Sequence, residues 1–223
     1  MHMPYAHPDT WAFLRAIKRK YRPDLVICLG DEIDGHALSF HESDPDLDSA
    51  GPELERAIRL LEPIYKLFPK VSVLESNHGS LVYRKAKSAG IPRRALKTYR
   101  DTLCAPRGWV WSFDLRVRMS NGQWLYCHHG KTAKAGALSQ RESVSSVQGH
   151  YHSSFHCTYW RNSQGLYFDI HGGCLVDHDS LAFAYGKNTM AKGIVGAWMI
   201  LDGQPKPIPM LQTQRGRWTK ELP

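Results

Sequence analysis

The chain has 223 residues, 42% of them apolar, and its 29 Lys and Arg outweigh 21 Asp and Glu to give a formal charge of +8. That size suits one α/β domain with a sizeable core, and the lack of any apolar run of about 18 residues or of a signal-peptide pattern argues for a soluble, unexported protein away from membranes. Five scattered cysteines without a CxxC pair argue against a disulfide framework and for a reducing cytoplasm, while the positive balance tilts the partner toward polyanions such as nucleic acid.

In chain order, the first ten residues read as a loop with Pro4 and Pro8, and Asp9 or Thr10 is placed to cap a helix over 10–21. Trp11, Phe13, Leu14, Ile17 and Tyr21 recur there at helical spacing, the basic end suits a helix C-terminus, and Pro23 stops it. The apolar run Leu25-Val26-Ile27-Cys28-Leu29 predicts a strand covered on both faces; it breaks at Gly30 into two acids, Asp31 and Asp34. A polar loop with His36 and His41 follows, and its acids Glu42, Asp44, Asp46 and Asp48 read as a solvated run rather than a lid. Residues 52–67 have helical spacing and 70–75 alternate as a strand that ends in Ser76-Asn77-His78-Gly79.

Residues 81–99 are helical in tendency and basic, interrupted at Gly90-Ile91-Pro92. Arg84, Lys85, Arg93 and Arg94 in this stretch are candidates to contact phosphate or nucleic acid, against the plainer reading of a solvated face. The pattern then turns to β. Strands over 109–119 and 123–128 flank Ser120-Asn121-Gly122, a strong hairpin signal, and the second ends in His128-His129-Gly130. After a partly helical 131–144 comes Gly149-His150-Tyr151-His152, then strands over 155–161, 165–171, 194–201 and 208–211.

Four separate segments, GDEID, SNHG, HHG and GHYH, thus deliver oxygen or imidazole donors at strand ends. Imidazole with carboxylate and amide oxygen suits Mn, Fe, Zn, Ni or Co better than Ca or Mg alone. An extended segment places residues i and i+2 on one face, so His150 and His152 can share a pocket.

In that order the motifs resemble those of the calcineurin-like metallophosphoesterases: DxH, GDxxD, GNH followed by an acid, H and GHxH. The resemblance spans residues 2–152, and the texture is similar to compact phosphoesterases encoded by bacteriophages. It implies an α/β fold, a four-layer αββα sandwich, with two divalent transition-metal ions (Mn, Ni, Co, Fe or Zn) at one edge. Residue by residue, it implies Asp31 as the bridging carboxylate, Asn77, His129 and His150 as ligands of the second ion, and His152 and His2 as ligands of the first. His78 matches the histidine that contacts or protonates the phosphoryl group, and Asp34 looks like the acid behind the ligands.

The chain departs from the family pattern twice. Ser76 and Gly79 stand where the family has glycine and the acid that supports the catalytic histidine, so Glu32 or Asp34 would have to support His78. The aspartate of DxH would fall before Met1, and the strand carrying it is missing, which would expose sheet edges and make a homo-oligomer through such an edge plausible. The resulting expectation is a metal-dependent phosphodiesterase or nuclease-like enzyme, acting in the host-cell cytoplasm if phage-encoded. The alternatives are a phosphoprotein or phosphomonoester phosphatase, or a non-catalytic binding module on the same scaffold.

Overall fold

The computed structural model describes residues 1–40, 44–186 and 192–223; His41 and Glu42 of the acidic loop lie outside them. The architecture is mixed α/β, with three sheets among the described residues and helices packed on them. Helix α1 (Thr10–Tyr21) buries Phe13 and Ile17, one turn apart, and closes at Arg22, whose left-handed backbone lets its N–H reach the Lys18 carbonyl. Asp9 precedes the helix but does not cap it. Its carboxylate instead accepts from Arg217 Nε at 2.8 Å and from the Trp218 N–H at 2.9 Å, tying the chain's last turn to its first helix.

The strand expected over 25–29 is short: β1 is Ile27–Cys28 alone, and both residues are only half-buried. Among the described residues it has a strand neighbour on one side only, pairing in parallel with β2 (Val71–Leu74), Ile27 opposite Ser72 and Cys28 opposite Val73. Between them the chain makes α2 (Ala50–Leu67), which carries the helical spacing read from the sequence and buries Ala57, Leu61 and Ile64. The basic stretch breaks at Gly90 (φ +74°) into α3 (Leu81–Ser88), a 3-10 turn at Arg93–Ala95 and α4 (Tyr99–Thr102).

The single strand expected over 109–119 is two. β3 (Trp109–Ser112) runs parallel to β2, while β4 (Asp114–Arg118) pairs antiparallel with β5 (Trp124–His128) in another sheet. Phe113, largely exposed, is the joint between them. The hairpin forms where Asn-Gly predicts it, with the Asn121 side-chain oxygen accepting from Gln123 N–H. Helix α5 (Ala137–Glu142) then packs on β6 (Ser145–Gln148) and β8 (Gly165–Gly172); with β7 (Phe155–Asn162) the five strands run β4-β5-β6-β8-β7. β9 (Gly196–Leu201) and β10 (Gln204–Pro209) form a separate antiparallel pair around Asp202-Gly203.

The core follows this layout. Ala57, Leu61 and Ile64 of α2 meet Val71, Val73 and Trp109 on one face of the first sheet. On its other face Ile27, Leu29 and Leu74 meet Leu125, Cys127, Val147 and Ile170 of the five-stranded sheet, joined by Trp198 and Ile200 of β9. The parallel pairs β1–β2 and β5–β6 therefore end side by side, and ligands of open α/β sheets collect at such carboxyl ends. All five cysteines are free thiols. No helix among the described residues is long and apolar enough to cross a membrane.

Candidate metal centre

The loops after those strand ends bring the sequence-predicted donors together. Among the described residues, three overlapping groups have donor atoms within 4.8 Å of one another and could hold a metal ion: His2, Asp31 and His152; Asp31, His129 and His150; and His2, Asp34 and His78. Asp31 is common to the first two. Its Oδ2 lies 3.4 Å from His2 Nε2 on one side and 3.2 Å from His129 Nε2 on the other. The Asn77 Oδ1 joins the second group, 2.7 Å from His129 Nε2 and 3.1 Å from His150 Nδ1.

Backbone strain and close approach are concentrated here. His2, Asp31 and His150 all sit at positive φ (57°, 51° and 68°), a region that non-glycine residues rarely adopt. Gly30, at φ +95°, allows the turn into Asp31; a Cβ there would come 2.7 Å from His129 Nδ1 and 2.8 Å from the Leu74 carbonyl. Gly130 allows a second approach, since its Cβ would meet that of His150 at 2.5 Å. The N-terminal residues are laced alongside: the N–H groups of Met1 and His2 both donate to the Asp31 carbonyl at 2.7 Å, and Met3 bridges Ile33.

Hydrogen bonds at the back of each ring fix which nitrogen faces inward. His129 Nδ1 donates to the Leu29 carbonyl at 2.6 Å, so its Nε2 presents a lone pair to Asp31 and Asn77. His2 Nδ1 donates to Asp34 Oδ1 at 2.7 Å, so its Nε2 presents a lone pair to Asp31 and, at 3.0 Å, to His152 Nε2. Lone pair faces lone pair across both halves of the cluster. Only a cation, a proton or a metal ion, relieves such an arrangement in a buried setting. The donor set of imidazole, carboxylate and amide oxygen fits a divalent transition metal.

The electrostatics agree. Burial opposes charge on Asp31, yet hydrogen bonds to His129 and His2 hold its carboxyl well below the usual range. Burial likewise opposes charge on His2, but the Asp31 and Asp34 carboxylates beside it prevail and raise its pKa, so that a proton on Nε2 can be the cation that relieves the cluster. Burial lowers His78 and His150, and burial with the neighbouring His2 pushes His152 down to about 2. Burial thus favours the neutral form of those three rings, the form that binds metal.

Asp34 supports the centre from behind: it holds His2 through its carboxylate and His78 through its backbone carbonyl, which accepts from Nδ1. Glu32, the other acid considered for that task, is turned away and accepts from Trp111 Nε1 at 2.7 Å. Ser76 Oγ accepts from the N–H groups of Asp31 and Gly79, both at 3.1 Å, stitching the two loops. Arg84 and Lys85 are not among the donors; both lie over the ring of Phe40, at 4.7 and 4.2 Å. Arg93 lies over Tyr83, and Arg94 is exposed on the 3-10 turn. His171 stays outside the donor set too, buried and stacked behind Tyr151.

Three supports were not read from the sequence. Glu53, a buried acid on α2, accepts from the N–H groups of His36 and Ala37 and so shapes the loop leaving Asp34. Phe183 walls the pocket against His2 and His152. The Leu29 carbonyl sets His129, as described above. Glu53 had one legible sign, an acid on the apolar face of a helix; a backbone carbonyl has none. No protein-family model matches the chain, and no curated protein matches it.

Proposed function

We propose that the chain is a metal-dependent phosphoesterase, acting on phosphodiesters of nucleic acids or nucleotides, with two divalent transition-metal ions at the shared Asp31. The observation that carries this reading is that one carboxylate oxygen serves two imidazole sets whose lone pairs converge on it. His2, Asp31 and His152 would hold one ion; Asp31, Asn77, His129 and His150 the other. When bound, such a pair supplies Lewis-acid charge and an activated water for attack on phosphorus.

The chain's own groups do the rest. Asp34 keeps the His2 ring in the tautomer that offers Nε2. His78, anchored through Nδ1 to the Asp34 carbonyl, turns its Nε2 lone pair toward the phosphoryl site, where the ring can take up a proton and hand it to the leaving oxygen. Asn77 offers the oxygen that would be a ligand, and the turn that carries both it and His78 is closed by the Ser80 N–H donating to the Ser76 carbonyl at 3.1 Å. The formal charge of +8 and the Arg84–Lys85 face favour a polyanionic substrate over a phosphoprotein. We read the layering of α1 and α2, the two facing sheets and α5 as an αββα sandwich, and the absence of disulfides as suited to a reducing cytoplasm.

The test is metal content per chain together with hydrolysis of bis-p-nitrophenyl phosphate and p-nitrophenyl phosphate with Mn²⁺, Ni²⁺, Co²⁺ and Zn²⁺. The reading expects two ions per chain, preference for the diester, and loss of turnover in His78→Ala with metal retained. Metal without turnover would make the chain a binding module, and preference for the monoester would make it a phosphatase.

A further inference from the structure

The stretch from Ser76 to Arg100 carries seven Lys and Arg and no Asp or Glu, and six of those seven cations are exposed. Among the described residues, the ion pairs of Lys and Arg lie elsewhere, on Arg56, Lys66, Arg116, Lys131 and Arg217. A solvated helix face needs its cations but gains nothing from exposed rings. Here two rings stand among the cations. Phe40 is 54% exposed and Tyr83 is 39% exposed. Arg84 and Lys85 lie over the first, 4.7 and 4.2 Å from its centroid, and Arg93 lies over the second at 5.5 Å. Tyr83 and Arg84 are successive residues of α3, so the two ring–cation pairs lie about 100° apart around the helix.

The patch is rooted in the candidate metal centre. Helix α3 starts from the His78 loop, where the Leu81 N–H donates to the His78 carbonyl at 3.0 Å. Phe40 follows the 3-10 turn His36–Leu38, which leaves Asp34. The two segments touch at their bases, since a Cβ on Gly35 would come 3.2 Å from Leu81 Cδ1. We infer that this face binds a single strand of nucleic acid, with bases stacked on Phe40 and Tyr83 and backbone phosphates met by Arg84, Lys85 and Arg93. The run of cations without an acid selects a polyanion. The exposed rings select one with free aromatic faces. In a duplex each base face is covered by its neighbours, whereas an unpaired strand offers its bases to protein rings. An acidic peptide would meet the cations and leave the rings idle. The guanidinium groups beside the rings extend the platform, because they stack as well as neutralise phosphate. The inference rests on the phosphodiesterase reading for its purpose, naming an unpaired strand as the polymer that the centre would receive, but not for its test.

The experiment titrates the full chain, in EDTA so that no turnover consumes the probe, into a fluorescein-labelled oligothymidylate of about twelve nucleotides, a length within the span of single-strand sites. Anisotropy should show binding whose logarithm falls with the logarithm of salt at a slope of about −2, as three neutralised phosphates require. Phe40→Ala and Tyr83→Ala should each weaken binding at least about fivefold with the slope unchanged. Tyr83→Phe, which keeps the ring, should bind as the parent does, and so should Trp124→Ala, which removes an exposed ring of β5. Arg84→Gln with Arg93→Gln should flatten the slope by about 1.4. All of these side chains are exposed, and a melting curve of each variant checks its fold. Equal affinity for a duplex of the same length, displacement by polyglutamate as readily as by unlabelled oligothymidylate, alanine variants that bind like the parent, or no binding at all would each overturn the inference. A chain that binds the strand yet hydrolyses no ester would sink the phosphodiesterase reading alone, and an active chain that does not bind it would sink this inference alone.

Discussion

At the scale of single residues, the centre depends as much on what holds the donors as on the donors. Asp34 fixes His2 through a charged hydrogen bond of 2.7 Å; Asp34→Asn keeps the shape but removes the charge. Loss of such a partner typically weakens metal binding by about 10–100-fold, which calorimetric titration with Mn²⁺ would measure; an unchanged affinity would mean that the His2 orientation is set elsewhere. Gly30→Ala should be worse for the fold. Its new Cβ would press on His129 and the Leu74 carbonyl from a left-handed backbone, a combination that costs about 1–3 kcal/mol in strain alone. Urea denaturation should show that loss, with metal stoichiometry falling alongside it. The donors themselves were legible because Asp31, Asn77, His78, His129, His150 and His152 each follow a recognisable strand end. Their supports were not, because the Leu29 carbonyl and Glu53 gain their roles only when distant segments meet.

At the scale of elements, the periodic segments α1, α2 and β2 fell close to where their spacing put them, since apolar period and burial are the same fact seen twice. The failures share a cause in tertiary context. Alternation over 109–119 cannot disclose that the chain leaves one sheet at Phe113 and enters another. The β-rich run at 25–29 cannot disclose that its strand has, among the described residues, a strand partner on one side only. Asp9 shows the same override, recruited by Arg217 instead of its own helix. Those bonds lower its carboxyl to about 2, chiefly through Arg217. A depressed acid stabilises the fold fully above its ordinary pKa of 3.8 and loses that contribution as pH falls toward 2. Asp9→Asn should therefore lower the melting temperature at pH 5, with the gap from the parent chain closing by about pH 2. Leu61, fully buried on α2, gives a plainer test: Leu61→Ala should cost about 2–5 kcal/mol in urea unfolding.

At the scale of the whole molecule, folding would be coupled to any metal ion bound at the centre, because its converging donors are brought together only by the folded chain. Mn²⁺ at about 100 times its dissociation constant should add about 2.7 kcal/mol, or roughly 5–10 °C in melting temperature for a chain of this size. A chelator should reverse the shift, and a melting curve indifferent to both would argue against a metal site. Asp31 is common to both donor sets, so two ions bound there would be thermodynamic partners: by linkage, whatever factor the first changes the affinity for the second, the second must change the affinity for the first by the same factor.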